Sequence, residues 1–166
     1  SNSTTATFTI EDTTAPAIDM AAADATVECD GSGNSADLDA WLESNGGASA
    51  SDACSDVMWS NDFAAFSDDC GATGMATVTF TATDDCGNSN STTATFTIED
   101  TTPPAIDMAA GDAAVECDGA GNSADLDAWL ASNGGASASD ACGAAIWGID
   151  SAAFRDARGA TGMATV

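Results

Sequence analysis

The sequence predicts an all-β protein made of tandem antiparallel β-sandwiches, each interrupted by one short inserted α-helix. Three observations carry this expectation. Residues 1–78 return as residues 89–166 at an offset of 88 without a gap, and 63 of these 78 aligned positions are identical. Neighbouring stretches this alike are tandem copies of one module, and the repeat length suits a small β-sandwich. The stretches 77–83 and 93–98 alternate apolar and polar residues strictly, as half-buried strands do. Finally, 44% of residues are apolar but only 6% aromatic, with alanine making up much of the apolar share, so each core is thin.

Proline and the repeat together place the module boundaries. Ile10-Glu11-Asp12-Thr13-Thr14-Ala15-Pro16 and its copy Ile98-Glu99-Asp100-Thr101-Thr102-Pro103-Pro104 each end a strand and then restrict the backbone. One full module is therefore expected over 13–100. Residues 1–12 are the last strand of a preceding or partner module, and 101–166 form a second module truncated before its last two strands are complete. Val166 falls inside the equivalent of the strand at 76–84. Two arrangements follow: a window from a longer repeat polypeptide, or strand addition in which the first residues of one copy complete the open module of another. Both give a head-to-tail array of further copies.

Within the module, residues 17–20, 25–29 and 57–61 supply short strands. The alternating stretches put Val78, Phe80, Ala82, Ala94, Phe96 and Ile98 inward and threonines outward. Turn formers at Asp84-Asp85-Cys86-Gly87-Asn88 join them as a hairpin. The helix is expected from a capping Ser35, with Asp37 and Asp39 early, Leu38, Trp41 and Leu42 at helical spacing, and Gly46-Gly47 to stop it. Trp41, repeated as Trp129, shares the apolar stripe and is expected to plug the core.

Charge excludes whole classes of function. The chain has 27 Asp plus Glu against 2 cations, both arginines, and a formal charge of −25, which disfavours nucleic acid and anionic membrane as partners. It contains no His, Lys or Tyr, so the side chains of most general-base, Schiff-base and triad chemistry are missing, and the sequence predicts no catalytic residues and no enzyme. No apolar run reaches the roughly 18 residues a membrane span needs, and the first residues lack the blocks of a signal peptide, so the chain reads as mature or excised. Six cysteines without histidine or a Cys-x-x-Cys pair point to disulfides in an oxidising, extracellular compartment.

The acidic residues cluster in loops. If the strands follow immunoglobulin-like order, the incoming linker, the loop after Cys29 and the hairpin turn share one end of the module. Glu11 and Asp12 would then meet Asp30, Asn34, Asp37 and Asp39, and also Asp84, Asp85 and Asn88. The second copy would bring Glu99, Asp100, Asp118, Asn122, Asp125 and Asp127 together in the same way. With no lysine to neutralise them, a hard cation with oxygen ligands is the expected partner, and Ca2+ is the choice. Solvated loops in a protein kept soluble by charge are the plain alternative. An EF-hand is rejected, because Trp41 stands where the bidentate Glu would be needed.

Taken together, the ATVECDG segment, the tryptophan in VMWSND, and the runs MATVTFTATDDCGN and TTATFTIEDTTAP resemble hyalin-type (HYR-like) immunoglobulin-fold repeats of very large secreted bacterial surface proteins. The resemblance covers essentially the whole chain. It implies an immunoglobulin-like extracellular β-sandwich array in adhesins, fibres or matrix proteins, and it implies no reaction. The DLDAWLESNGG insertion departs from the shorter eukaryotic hyalin repeat, so that group's ligands do not transfer.

The cysteines leave pairing open. Copy comparison keeps Cys117 and Cys142 at the positions of Cys29 and Cys54 but replaces Cys70 by Arg158, which favours Cys29–Cys54 with Cys70–Cys86. Against this, Cys70 and Cys86 flank a strand about 30 Å long, which keeps Cys29–Cys86 open. Arg155 and Arg158 could pair with an acidic patch on a neighbouring copy. The expected function is a structural repeat of an extracellular filament or giant adhesin, stiffened by disulfides and by calcium between modules. The alternative is a carbohydrate- or protein-binding module that uses the divergent stretch 55–70, with Met58, Trp59, Phe63 and Phe66.

Overall fold

Strand alternation dominates the architecture of the computed structural model, which describes residues 1–67 and 70–149 together with the backbone of Arg155–Asp156 and Gly162–Met163. The chain divides into two units, Ser1–Asp100 and Thr101–Val166. The first is rich in β-strand, the second holds only short strands among the described residues, and each carries one short α-helix.

In the first unit, residues 1–11 are exposed and form no strand. β1 (Ala17–Met20) and β2 (Ala25–Glu28) precede α1 (Ser35–Glu43), a 3-10 turn over Asn45–Gly47, β3 (Ser49–Ser51), β4 (Val57–Asn61), β5 (Gly74–Asp84) and β6 (Ser89–Glu99). β1 pairs antiparallel with β3, Ile18 opposite Ala50, with a register shift before Met20. The other strands form one sheet in the order β2-β6-β5-β4. Its spine is the β5–β6 hairpin, paired from Gly74↔Ile98 to Thr83↔Ser89. The hairpin turn is closed by Asp84 N–H donating to Asn88 O at 3.0 Å and by Gly87 at φ 90°.

Alternation in the hairpin makes one face of the sheet the core. Val78, Phe80, Ala82, Ala94, Phe96 and Ile98 are buried, while Thr77 and Thr95 on the other face hydrogen-bond through their hydroxyls at 3.1 Å. α1 covers the apolar face with Leu38 and Trp41. The Trp41 ring meets Phe80 edge-on at 5.1 Å and Phe96 at 5.4 Å, and its Nε1 donates to Ala23 O at 3.1 Å. This geometry satisfies the one polar atom of a buried indole.

Two details differ from the sequence expectation. Ser35 is the first helical residue; the N-cap is Asn34, in the left-handed region at φ 49°. Its side chain donates to Glu28 O at 2.9 Å and to Asp37 Oδ2 at 3.1 Å, and asparagine tolerates that backbone where serine would not. Second, β2 runs parallel to β6, with Ala25 opposite Phe96 and Val27 opposite Ile98, so the sheet is mixed rather than wholly antiparallel. The long connection between the two strands leaves their relative direction free, whereas a short turn forces antiparallel pairing.

The second unit repeats the helical half of the first. β7 (Ala105–Met108) pairs with β8 (Ser137–Ser139) in the register of β1 with β3, and α2 (Ser123–Ala131) has Asn122 as its left-handed N-cap. Trp129 Nε1 donates to Gly111 O at 3.0 Å, as Trp41 does to Ala23 O. β9 (Arg155–Asp156) pairs with β10 (Gly162–Met163), which puts Met163 opposite Arg155 just as Ser67 N–H meets Met75 O in the first copy. Residues 113–116 and 145–149, the counterparts of β2 and β4, are not strands. Among the described residues neither stretch has a strand paired beside it, and strand geometry without a ladder partner is not held.

Candidate metal centre

The hairpin turn anchors the acidic residues at one end of the first unit. Asn88 Nδ2 donates to Asp12 O at 3.2 Å and to Asp84 Oδ2 at 2.7 Å, tying the incoming linker to the turn. Asp85 N–H donates to Ser55 Oγ at 3.3 Å, which brings the segment before β4 alongside. A three-membered cluster results: ligand atoms of Asp12, Asp52 and Cys54 all lie within 4.8 Å of one another. Asp12 Oδ1 accepts the Thr14 N–H at 3.1 Å, whereas Asp12 Oδ2 is buried without a hydrogen-bond partner. Asp52 Oδ1 accepts the N–H groups of Cys54 and Ser55 at 2.8 and 3.2 Å, an Asx-type turn.

Of the residues expected to hold a cation, this arrangement gathers some and separates others. Asp12, Asp84 and Asn88 come together, with Asp85 exposed beside them and Glu11 exposed on the linker. Asp84 is buried, and burial acts to raise its pKa. Four hydrogen bonds, led by the Asn88 amide and including the N–H groups of Asn88, Cys86 and Gly87, outweigh burial and hold the carboxyl below its ordinary value. Its oxygens accept the hydrogen bonds that close the turn. The Cys86 thiol is pushed up by desolvation and then by the charges of Asp12, Asp84 and Asp85 and by Cys54.

Asp30, Asn34, Asp37 and Asp39 do not join this group. β2 is parallel to β6, so the loop after Cys29 lies at the Glu99 end of the sheet, where Cys29 N–H donates to Glu99 O at 2.8 Å. The hairpin turn lies at the opposite end, 11 residues of β6 away, or roughly 35 Å. There Asp30 Oδ1 accepts N–H groups from Ser32 at 2.6 Å and Asn34 at 3.1 Å, and these bonds lower its pKa. Asp39 is exposed on the helix. The second copy repeats the loop: Asp118 accepts from Ala120 and Asn122, which lowers its pKa, and Asn122 bonds Glu116 O and Asp125, with Asp127 exposed. Glu99 and Asp100 are exposed at the end of β6 and just beyond it.

Sequence reasoning missed Asp52 and Cys54. The signal available was local: Ser51-Asp52-Ala53-Cys54 returns unchanged as Ser139-Asp140-Ala141-Cys142 immediately before the copies diverge. As a donor set, the two carboxylates, one with an unsatisfied buried oxygen, suit a hard cation such as Ca2+, whose remaining positions would be filled by loop carbonyls and water. The sulfur of Cys54 is a poor calcium ligand and would stand beside the ion.

Cys29 is disulfide-bonded, whereas Cys54, Cys70 and Cys86 carry free thiols, and Cys117 is exposed. None of the pairs Cys29–Cys54, Cys70–Cys86 and Cys29–Cys86 is therefore formed. The β4–β5 register, with Val57 opposite Asp84, sets Cys54 near Cys86, while Cys70 lies at the far end of β5. In the divergent stretch Met58 is exposed, but Phe66 packs on Phe96 at 6.0 Å and on Phe63 at 5.5 Å, so Phe66 covers the core rather than a ligand. The side chain of Arg155, and Arg158 altogether, lie outside the described residues. Among the described residues no helix is long and apolar enough to cross a membrane. No protein-family model, curated protein or solved structure matches the chain.

Proposed function

We propose that this chain is a structural repeat segment of an extracellular filament or giant adhesin, in which hyalin-repeat-like, immunoglobulin-like modules are joined head to tail. The observation that carries the reading is the repetition of local structure at the 88-residue offset. β7, α2 and β8 reproduce the register, the helix cap and the tryptophan hydrogen bond of β1, α1 and β3. Modules copied this closely suit a load-bearing role, in which each unit does the same mechanical work. The mixed sheet β2-β6-β5-β4, with β1–β3 and α1 beside it, supports the sandwich reading. A disulfide supports an oxidising compartment.

Calcium belongs to the same reading. Asp12 ends the linker that enters the module, and fixing it to Asp52 through a cation would stiffen the entry point. Asp12 Oδ2, buried without a partner, supports this, because a buried carboxylate oxygen left without a hydrogen bond is costly. Thermal unfolding with Ca2+ and with chelator tests it. At free Ca2+ about 100 times the dissociation constant the folded unit should gain about 2.7 kcal/mol, and Asp12→Asn should remove the gain. An unchanged midpoint in the parent protein would defeat the calcium reading. Electron micrographs of purified parent polypeptide showing long uniform fibres would support the array, and compact isolated particles would defeat it.

A further inference from the structure

The sheet sorts the four cysteines of the first unit to its two ends. The Cys29 N–H donates to Glu99 O at 2.8 Å and Cys29 Sγ lies 3.8 Å from Ala72 O, so Cys29 and Cys70 share the end where β5 begins. Cys54 and Cys86 stand at the other end, closed by the hairpin turn, 11 residues of β5 away, or roughly 35 Å. A disulfide joins Cα atoms only about 4.4–6.8 Å apart, so neither Cys54 nor Cys86 reaches Cys29 or Cys70. Both Cys54 and Cys86 are exposed and carry free thiols.

Three sets of contacts draw this pair together. The β4–β5 register, continued past Val57 opposite Asp84, sets Ser55 beside Cys86, and the Asp85 N–H donates to Ser55 Oγ at 3.3 Å. The turn at Asp52, whose Oδ1 accepts the Cys54 N–H at 2.8 Å, holds Cys54 Sγ within 4.8 Å of carboxylate oxygens of Asp12 and Asp52. The hairpin turn fixes Cys86, whose N–H donates to Asp84 Oδ1 at 2.9 Å, and it fixes Asp12, whose carbonyl accepts from Asn88 Nδ2 at 3.2 Å. Asp12 is thus a neighbour of both thiols, and the charges of Asp12 and of Cys54 both act on Cys86.

We infer that Cys54 and Cys86 close into a disulfide that clamps the loop before β4 onto the hairpin turn and so fixes the linker at Asp12. The inference rests on the extracellular reading proposed above, which supplies the oxidant as a small-molecule disulfide. One protein thiolate attacks the S–S bond of the oxidant, forming a mixed disulfide and releasing one small thiolate. The second protein thiolate attacks the protein sulfur of that mixed disulfide and expels the other half of the oxidant. Two protein thiols are oxidised, one small disulfide is reduced to two thiols, and the protons pass from the protein to the departing thiolates. The bond closes a loop that contains β4 and β5, and such a closure stabilises mainly by restricting the unfolded chain. It joins the two segments that meet at Asp12, so it stiffens the same entry point with or without a cation.

The test equilibrates the full chain with a mixture of oxidised and reduced glutathione, with chelator present so that calcium plays no part. Digestion before aspartates and mass spectrometry without reductant should give a linked pair of peptides carrying Cys54 and Cys86, in the parent and in C70S alike. In the same buffer the double variant C54S/C86S, which changes only exposed side chains, should unfold roughly 10–20 °C below the parent. Hydrogen exchange at the Thr14 and Asp85 amides, which bond Asp12 and Ser55, should be faster in that variant. The linkage map needs no variant, so it stands even if C54S/C86S folds poorly. No linked pair under oxidising conditions, linkage of Cys54 or Cys86 to Cys70 instead, or equal midpoints and exchange in parent and double variant would each overturn the inference. Any of these leaves the array of modules standing, whereas compact isolated particles in electron micrographs would defeat the array and leave a mapped Cys54–Cys86 bond in place.

Discussion

Phe96 and Phe8 occupy the same position in identical stretches of sequence, so replacing each by alanine separates what sequence contributes from what burial contributes. Phe96 is 1% exposed and packs against Trp41 at 5.4 Å and Phe66 at 6.0 Å; Phe8 is 88% exposed. Losing a buried phenyl removes about 1.5–3 kcal/mol of transfer free energy. Each ring contact adds about 0.5–1.5 kcal/mol, and the cavity adds more. Phe96→Ala should therefore cost about 3–5 kcal/mol, a large share of the 5–15 kcal/mol typical of a domain. Phe8→Ala should change the stability of the monomer by about 0.5 kcal/mol or less. Phe96→Leu, which keeps most of the volume but loses both ring contacts, should fall between them at about 1–2 kcal/mol. Native-state hydrogen exchange of the β5 amides at low protein concentration reads the opening free energy of the first unit alone. A cost below about 1 kcal/mol for Phe96→Ala, or equal costs at the two positions, would refute the claim that the hairpin face, packed under Trp41, is the core.

Two glycines give a second paired comparison. Gly46 and Gly47 both have positive φ, but a Cβ at Gly46 would lie 3.1 Å from Ala22 Cβ and from Phe80 Cε2, whereas Gly47 faces open space. Gly47→Ala should cost about 1–2 kcal/mol from backbone conformation, and Gly46→Ala distinctly more; urea unfolding that ranks them the other way would show that the turn does not press on the core. Acid should expose the carboxylates whose pKa is lowered. Asp62, which accepts the Thr79 N–H at 2.6 Å, and Asp84 both have folded values below the unfolded one. Their contribution is present above about pH 4 and lost as pH falls through the folded value. Protonation elsewhere relieves repulsion in a chain of charge −25 and acts with the opposite sign, so the informative quantity is parent minus variant. Asp62→Asn should flatten the fall in urea midpoint below pH 4, and an unchanged slope would remove Asp62 from the account.

Much of this protein is legible in its residues. The tandem repeat needs only self-comparison. The β5–β6 hairpin follows from alternation and its turn formers, and α1 follows from Leu38, Trp41 and Leu42 with glycines after them. Those features are local, and their physical cause lies within a few residues. The acidic site was legible only in part. Asp12 and Asn88 meet as the sequence suggests, but Asp30 and Asn34 stand at the far end of the sheet, because β2 runs parallel to β6. Strand direction across a long connection is a property of the whole unit, and no short-range pattern encodes it. The approach of Asp52 and Cys54 to Asp12 depends in the same way on the β4–β5 register.

The repeat also marks where sequence stops deciding structure. Residues 89–99 form a strand with Phe96 buried, while residues 1–11, identical in sequence, lie exposed. Ala25–Glu28 is a strand beside β6, and its near-copy at 113–116, without such a partner, is not. Alternation sets which side chains can face a core. Only a neighbouring strand with free N–H and C=O groups, and an apolar face to lie on, turns that capacity into structure, because a strand takes its hydrogen bonds from another segment while a helix such as α1 or α2 makes its own.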